Sequence, residues 1–387
     1  MATVFLETIS PIGIGARGQV YGSHYSLGYI PGTTLRGALA EFYIARNGLK
    51  TQRAEHDDLF RQIFIEEKVY FGNLYPSISN IVTLPAPASL HTCKRYGGFW
   101  WDEENDHYDP SQHGVIDVRH FTTGDLPECC PQCVNEPLEK VTNFYRVQDG
   151  HPQTAVAKRR FLVRSGIDEF TLTSKQGVLF SLDVLEARQN FYGFIRDDNN
   201  LLHKAALSGN LEELLVGVAV TRGLGETYCT IAAGANTFSQ FVEQTKPMAT
   251  PISKPCFSIV LYSDVILLDR YLRYTSVLDE NILHAEFGAD FPAGLEIRLQ
   301  TKFLSMRIVS GWNVKHGLPK ENELAIAAGS VFVFAHKENL SENENRQLNN
   351  FFNLIQNQGI GERKSEGFGR VIVNDWFHSY SIDRENK

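Results

Sequence analysis

Ser341-Glu342-Asn343-Glu344-Asn345-Arg346-Gln347-Leu348-Asn349-Asn350-Phe351-Phe352-Asn353-Leu354-Ile355-Gln356-Asn357-Gln358 runs directly into Gly359-Ile360-Gly361-Glu362-Arg363-Lys364-Ser365-Glu366-Gly367-Phe368-Gly369-Arg370. The opening Ser-Glu-Asn-Glu fits a capping box, in which the Ser341 hydroxyl and the Glu344 carboxylate each take a backbone N–H that a first helical turn leaves unbonded. Leu348, Phe351, Phe352 and Ile355 recur on one helical face, and Gly359 suits the residue just past the last turn. A glycine-dense loop carrying Arg363, Lys364 and Arg370 follows, wedged between this helix and a strand. Glycines reach positive φ and have no Cβ, so Gly361, Gly367 and Gly369 can bring backbone N–H groups and the three cations against a phosphate backbone.

A weaker copy, Gly217-Val218-Ala219-Val220-Thr221-Arg222-Gly223-Leu224-Gly225-Glu226-Thr227, lies in the first half, so the chain reads as duplicated. Val4 to Ile9 alternates as a strand does. Pro31-Gly32-Thr33-Thr34 then opens a helix with Leu35, Leu39, Phe42 and Tyr43 at helical spacing, which Asn47-Gly48 ends. Gly177 to Leu185 is strand-like, Leu201 to Val216 reads as a helix with Asn210 as a local cap, and Tyr228 to Ala232 reads as a strand. In the second half Phe257 to Leu261, Gly294 to Phe303 and Ser330 to Ala335 read as strands. Between the halves the text turns polar, with Pro247, Pro251 and Pro255 spaced along it, a composition suited to a linker. The expectation is an α+β chain of two tandem ferredoxin-like (RRM-like) domains, 1–236 and 257–387, joined by a linker at 237–256.

The chain has 387 residues, 43% of them hydrophobic, enough for two sizeable cores. It offers no uncharged apolar run of about 18 residues to span a membrane. Its start, Met-Ala-Thr-Val-Phe-Leu-Glu, lacks the features of a signal peptide, so a cytoplasmic, reducing setting with free or metal-bound thiols is expected. A net charge of -8 argues against a protein that coats nucleic acid nonspecifically, and leaves room for local basic patches. One is Lys158-Arg159-Arg160-Phe161-Leu162-Val163-Arg164. Cations interrupted by apolar residues suit a β-ribbon that holds a nucleic-acid backbone with one face and packs with the other, or a strand edge kept charged against aggregation.

Cys130-Pro131-Gln132-Cys133 has the spacing of a zinc knuckle, downstream of Cys93, His113 and Cys129. Cys93, Cys130 and Cys133 supply three ligands, and the fourth is either His113 or Cys129, although vicinal cysteines seldom both reach one ion. His91 and His120 are further candidates. An insertion over about residues 90–145 has little core of its own, so bound zinc would supply folding free energy. Cys229 and Cys256 sit in apolar, strand-like text and read as buried.

Gly28-Tyr29-Ile30-Pro31-Gly32-Thr33-Thr34-Leu35-Arg36-Gly37-Ala38-Leu39, the run Phe191-Tyr192-Gly193-Phe194-Ile195 and the closing glycine loop resemble the RAMP superfamily of CRISPR-associated proteins. Ser310-Gly311-Trp312-Asn313, Gly317-Leu318-Pro319-Lys320 and Ala327-Ala328-Gly329-Ser330-Val331 look like the Cas-five-like RAMPs of type III effector complexes. The cysteine insert, with Cys93, then His113-Gly-Val, then Cys-Pro-x-Cys, is most similar to Csx-ten-type subunits of type III-D complexes, and this favours His113 as fourth ligand. The resemblance implies a non-catalytic subunit that grips the 5′ repeat-derived handle of the guide RNA (crRNA), contacts the large and backbone subunits, and meets target RNA only indirectly. By position, Gly32 and Arg36 match the family's phosphate-facing turn and helix start, and Gly361 to Arg370 matches its RNA-facing loop. Lys158, Arg159, Arg160 and Arg164 join the candidate RNA contacts. Glu362 and Glu366 dilute the positive field of the closing loop, where either can pair internally with Arg363 or Lys364, and Glu226 does the same to the first loop, whose one cation is Arg222. Two enzyme readings stand beside this one. A guide-processing endoribonuclease could use His24, and a target-cutting RAMP could use an aspartate such as Asp117, Asp149 or Asp168.

Overall fold

Strand β1, Ala2–Thr8, sits at the centre of the first half because its alternation puts Val4, Leu6 and Thr8 on a fully buried face. A computed structural model describes residues 1–20, 23–77, 82–98, 101–102, 107–108, 111–118, 129–133, 136–148, 151–167, 170–171, 173–234, 255–313 and 316–375. Helix α1, Gly32–Arg46, starts just after Pro31, whose φ of -62° is set for it, and buries Leu35, Ala38, Leu39 and Tyr43. Asn47 ends it, its side-chain amide donating to Tyr43 O at 2.9 Å. Strand β2, Val69–Phe71, follows. The chain then makes a long excursion that includes the ribbon of β3, Arg159–Ile167, and β4, Ser174–Leu185. It returns through β5, Asn190–Asp197, the one-turn helix α2, Leu201–Lys204, and strands β6, Gly209–Leu215, and β7, Glu226–Ala233. Neighbours run β6-β7-β1-β5-β2, antiparallel throughout.

The second half repeats the plan. Its elements are β8, Cys256–Leu261; α3, Glu280–Phe287; β9, Arg298–Phe303; β10, Val331–Ala335; α4, Glu342–Gln358; and β11, Val371–Val373. The sheet order is β9-β10-β8-β11, again antiparallel. In both halves the last strand lies on one side of the first, and the strand before the last helix lies on the other. Helix α4 has the expected capping box. It buries Leu348, Phe351 and Ile355, each contributing about 1.5–3 kcal/mol.

Two expectations fail on backbone conformation. The helix expected over Leu201 to Val216 stops after one turn, because Ala206 and Gly209 adopt positive φ of 53° and 84°. Residues 209–215 pair as a strand on β7, with Asn210 in it rather than capping a helix. A bulge between Leu211 and Leu214 lets both be buried three residues apart, and that spacing imitates a helix. The strand expected from Gly294 begins at Arg298, after a 3-10 turn at Ala293–Leu295 and a left-handed Glu296. Residues 237–254 of the expected linker lie outside the described residues.

Each half has its own core, and a third cluster joins them. Tyr75, Val82, Leu84, Leu90, Tyr145 and Phe194 of the first half pack with Tyr262 and Ile372 of the second. Tyr75 donates to the Tyr262 carbonyl, and Tyr145 donates to Asp375 at 2.7 Å. The closing glycine loop lies at this junction.

Candidate metal centre and nucleic-acid interface

Cys93 ends the strand Leu90–Cys93, which pairs on one side with Val115–Asp117 and on the other with Leu138–Lys140. The turn holding Cys130 and Cys133 is tied back by the Cys130 N–H to Glu136 O at 2.8 Å and by the Lys94 N–H to Pro137 O at 3.1 Å. His113 arrives just before the Val115 strand, with its ring against Tyr96 at 4.7 Å. The ligand atoms of Cys93, His113, Cys130 and Cys133 consequently all lie within 4.8 Å of one another. Cys93 Sγ and Cys133 Sγ are 3.8 Å apart, and two sulfurs each about 2.3 Å from a tetrahedral zinc would stand about 3.8 Å apart. His113 Nδ1 is 3.2 Å from Cys130 Sγ. Burial works to raise the Cys93 pKa, yet the Tyr96 and Arg95 backbone and the neighbouring thiols outweigh it and leave it lowered. Cys129 is exposed and not in the group, and the His91 ring meets Ser89 O at 3.2 Å. His120 lies outside the described residues. Cys229 is buried as expected, whereas Cys256 is half-buried.

The closing loop brings together most of the residues expected to face RNA, and commits them to one another. Glu366, 8% exposed, receives Arg363, Arg36 at 2.8 Å and Lys320 at 3.1 Å. Burial opposes its ionisation, but these cations, Arg363 foremost, hold its pKa below the usual range. Arg363 also pairs with Glu323, and Lys364 with Glu286. Arg36, which donates to Phe64 O as well, reaches across from α1, so this cluster bonds the two halves. Arg370 is 2% exposed, donates to Asn357 O at 2.8 Å and has its pKa pushed down to about 9, by burial first and then by Arg196. Arg196, from β5, donates to the same carbonyl at 3.0 Å, so two guanidiniums cap the C-terminal end of α4.

The glycines serve the same junction. A Cβ on Gly32 would collide with Phe71 O and stand 2.8 Å from Glu366 O, and one on Gly367, at φ 98°, would stand 2.8 Å from Phe71 O. Gly361 and Gly369 likewise run against the carbonyls of Ile266 and Ile360. A second bond between the halves is Arg307, which donates to Tyr29 Oη and pairs with buried Asp264, each at 3.1 Å.

The β3 ribbon contrasts with this loop. Lys158 and Arg160 are exposed, and Arg164 is half-exposed and donates to Arg222 O at 3.1 Å, bringing the first glycine loop alongside. Arg159 turns inward to Ser26 O at 3.0 Å and Asp183 at 3.5 Å. Phe161, Val163 and Ile167 stand in a row 57%, 65% and 67% exposed, while Leu162 packs inward on Leu182, Val184 and Leu224. His24 lies on the strand Ser23–Ser26 beside Leu182 of β4. Asp117 is buried, and Asp149 and Asp168 lie outside the described residues.

The sequence signature of the RAMP superfamily matches residues 5–226, more than half of the chain. The chain belongs to the RAMP superfamily. Residues 239–376 of this RAMP match the signature of the CRISPR-associated protein family Cas_Cmr3. No curated protein matches it. Among solved structures it is similar to a chain of the type III-B Cmr-beta complex bound to cognate target RNA and AMPPnP, at 12% identity and a TM-score of 0.42, covering 90% of this chain and 93% of that one. A chain of the Csm3-Csm4 subcomplex of the type III-A interference complex gives 13% identity and 0.38, covering 87% and 94%. Thermus thermophilus Cas6 gives 8% identity and 0.36, covering 96% and 98%.

Proposed function

We propose that this RAMP is a non-catalytic subunit of a type III CRISPR effector complex that binds the 5′ repeat-derived handle of the crRNA and contacts the large and backbone subunits in antiviral defence. In this reading the two halves are ferredoxin-like domains, and the four-ligand cluster holds a structural zinc that orders the insertion around Cys93 to Cys133. The order of its ligands along the chain favours the Csx-ten-type subunits of type III-D.

The observation that carries the RNA contact is the ribbon. Lys158 and Arg160 are exposed, and Arg160 shares a strand face with Arg164, which bonds Arg222 O, while the exposed ring of Phe161 stands on the opposite face. A row of cations along one edge of a β-ribbon holds a single strand through its phosphates, without needing its sequence. Arg363, Lys364 and Arg36 are already paired, so in this reading they fix the angle between the halves and so the path of the RNA. Sequencing the 5′ ends of RNA that copurifies with the chain tests the proposal. A shared repeat-derived end is expected, and random RNA or none would count against it.

A further inference from the structure

Between β8 and α3 the chain makes a turn that lies outside both the β3 ribbon and the cysteine cluster. Its base is held by the closing loop, since the Glu362 N–H donates to Ile266 O at 3.0 Å and Gly361 packs on the same carbonyl. Above that base the Asp269 carboxylate fixes the turn. It receives the N–H groups of Tyr271 at 2.8 Å and Arg273 at 3.0 Å, and the Arg273 guanidinium at 2.7 Å. The Leu272 N–H bonds Asp269 O at 2.9 Å, and the Asp269 N–H bonds Arg273 O at 2.9 Å. Among the described residues, the side chains this turn displays stay largely uncovered. Leu272 is 78% exposed and held at φ 60°, a conformation that L residues disfavour, and Tyr271 is 62% exposed. The guanidiniums of Arg270 and Arg273 lie 4.7 and 5.1 Å from the Tyr271 ring centre.

We propose that residues 269–274 are a docking knob for a neighbouring protein subunit whose surface offers an apolar pocket rimmed by carboxylates. This rests on the reading of the chain as one subunit of a multi-protein complex. Tyr and Arg dominate the residues that carry protein–protein binding energy, and a turn already fixed in shape loses little freedom on docking. The charge of the knob selects the rim. Arg273 is neutralised by Asp269, whereas among the described residues Arg270 meets the hydroxyl of Tyr271, at 2.6 Å, and its ring but no carboxylate, so a partner carboxylate would complete it. RNA fits less well. The most exposed side chain is aliphatic, with neither charge nor π-face to offer a nucleotide, and a base stacking on Tyr271 would compete with two guanidiniums already over that ring.

The test co-expresses the full chain with the other proteins of its complex and the guide RNA. The complex is purified on this chain, treated with ribonuclease, and each protein subunit is quantified. Arg270→Glu with Leu272→Ser leaves Asp269 in place, and is expected to cut recovery of one protein subunit roughly tenfold or more. The affinity of the isolated chain for a short oligouridine should not change. Leu272→Gly removes the knob while relaxing the positive φ, so it should fold at least as well and lose the same subunit. Wild-type recovery of every subunit with both variants would overturn the proposal. So would lost oligouridine affinity with all subunits retained, which would make the turn an RNA contact. If the wild-type chain recruits no subunit at all, the complex-subunit reading itself falls, and that control separates the two failures.

Discussion

The closing loop and the β3 ribbon are the two most suggestive basic stretches of the chain, and they differ in what surrounds their cations. In the loop, Glu366 lies within the same stretch and Glu286 and Glu323 arrive from elsewhere, so Arg363, Lys364 and Arg36 end in ion pairs. Residues 158–167 contain no acidic residue, and Lys158 and Arg160 stay exposed. Glycine density and positive charge thus mark a place where backbones approach closely, but the approaching backbone can be the protein's own. The carboxylates that reach each stretch, from within it or from elsewhere, are what separate the two.

The largest expected effect follows from Gly367. A valine there would need positive φ and would press on Phe71 O, so Gly367→Val should destabilise the chain by about 3 kcal/mol or more in denaturant titration. A variant as stable as wild type would mean that the halves are not bonded through this loop. Glu366→Ala takes the carboxylate from Lys320 and leaves Arg363 with Glu323 and Arg36 with Phe64 O, and should cost about 1–3 kcal/mol. Glu366 also gives the comparison a pH signature. Its folded pKa lies below the ordinary 4.5, so the stability it supplies is complete above that value and is lost as pH falls through the lower, folded one. The melting temperature should therefore drop in that acidic window for wild type, and drop less for Glu366→Gln.

A smaller, local effect is expected at the cysteine cluster. Elemental analysis should give about one zinc per chain, and Cys130→Ser with Cys133→Ser should release it. The region around 90–145 should then become protease-sensitive while both main sheets persist. Full zinc retention would exclude these ligands. The smallest effect is at His24. His24→Ala should leave guide-precursor processing in a reconstituted system unchanged, and loss of cleavage with RNA binding retained would promote the nuclease reading.

Local signals were the legible ones. The capping box at Ser341, the start of α1 at Pro31 and the cysteine spacing are all short-range patterns, and the structure forms each of them. The α2 to β6 segment misled because a bulge between Leu211 and Leu214 copies helical spacing, a feature of pairing with β7 that the segment alone does not carry. The Arg363–Glu366 pair, three residues apart, was legible, whereas the other partners of Arg363 and the surroundings of Arg370 were hidden for a related reason. Glu323 is 40 residues away from Arg363 in sequence, and the chain excursion that lays Arg196 beside Arg370 is longer still. The fourth candidate ligand, ambiguous by spacing, is separated by the fold, which brings His113 to Cys93, Cys130 and Cys133 and leaves Cys129 exposed.

The most direct test compares the two regions on RNA itself. Binding of the guide 5′ handle is measured against salt for Lys158→Ala/Arg160→Ala/Arg164→Ala and, separately, for Arg363→Ala/Lys364→Ala, each checked for folding by circular dichroism. Each lost phosphate contact flattens the log-log salt slope by roughly 0.7 for a single strand. The ribbon variant should lose affinity and about two units of slope with its stability nearly unchanged. The loop variant should lose stability and keep the wild-type slope. The opposite pattern, an unchanged slope for the ribbon and a flattened one for the loop, would contradict the account and place the RNA on the closing loop.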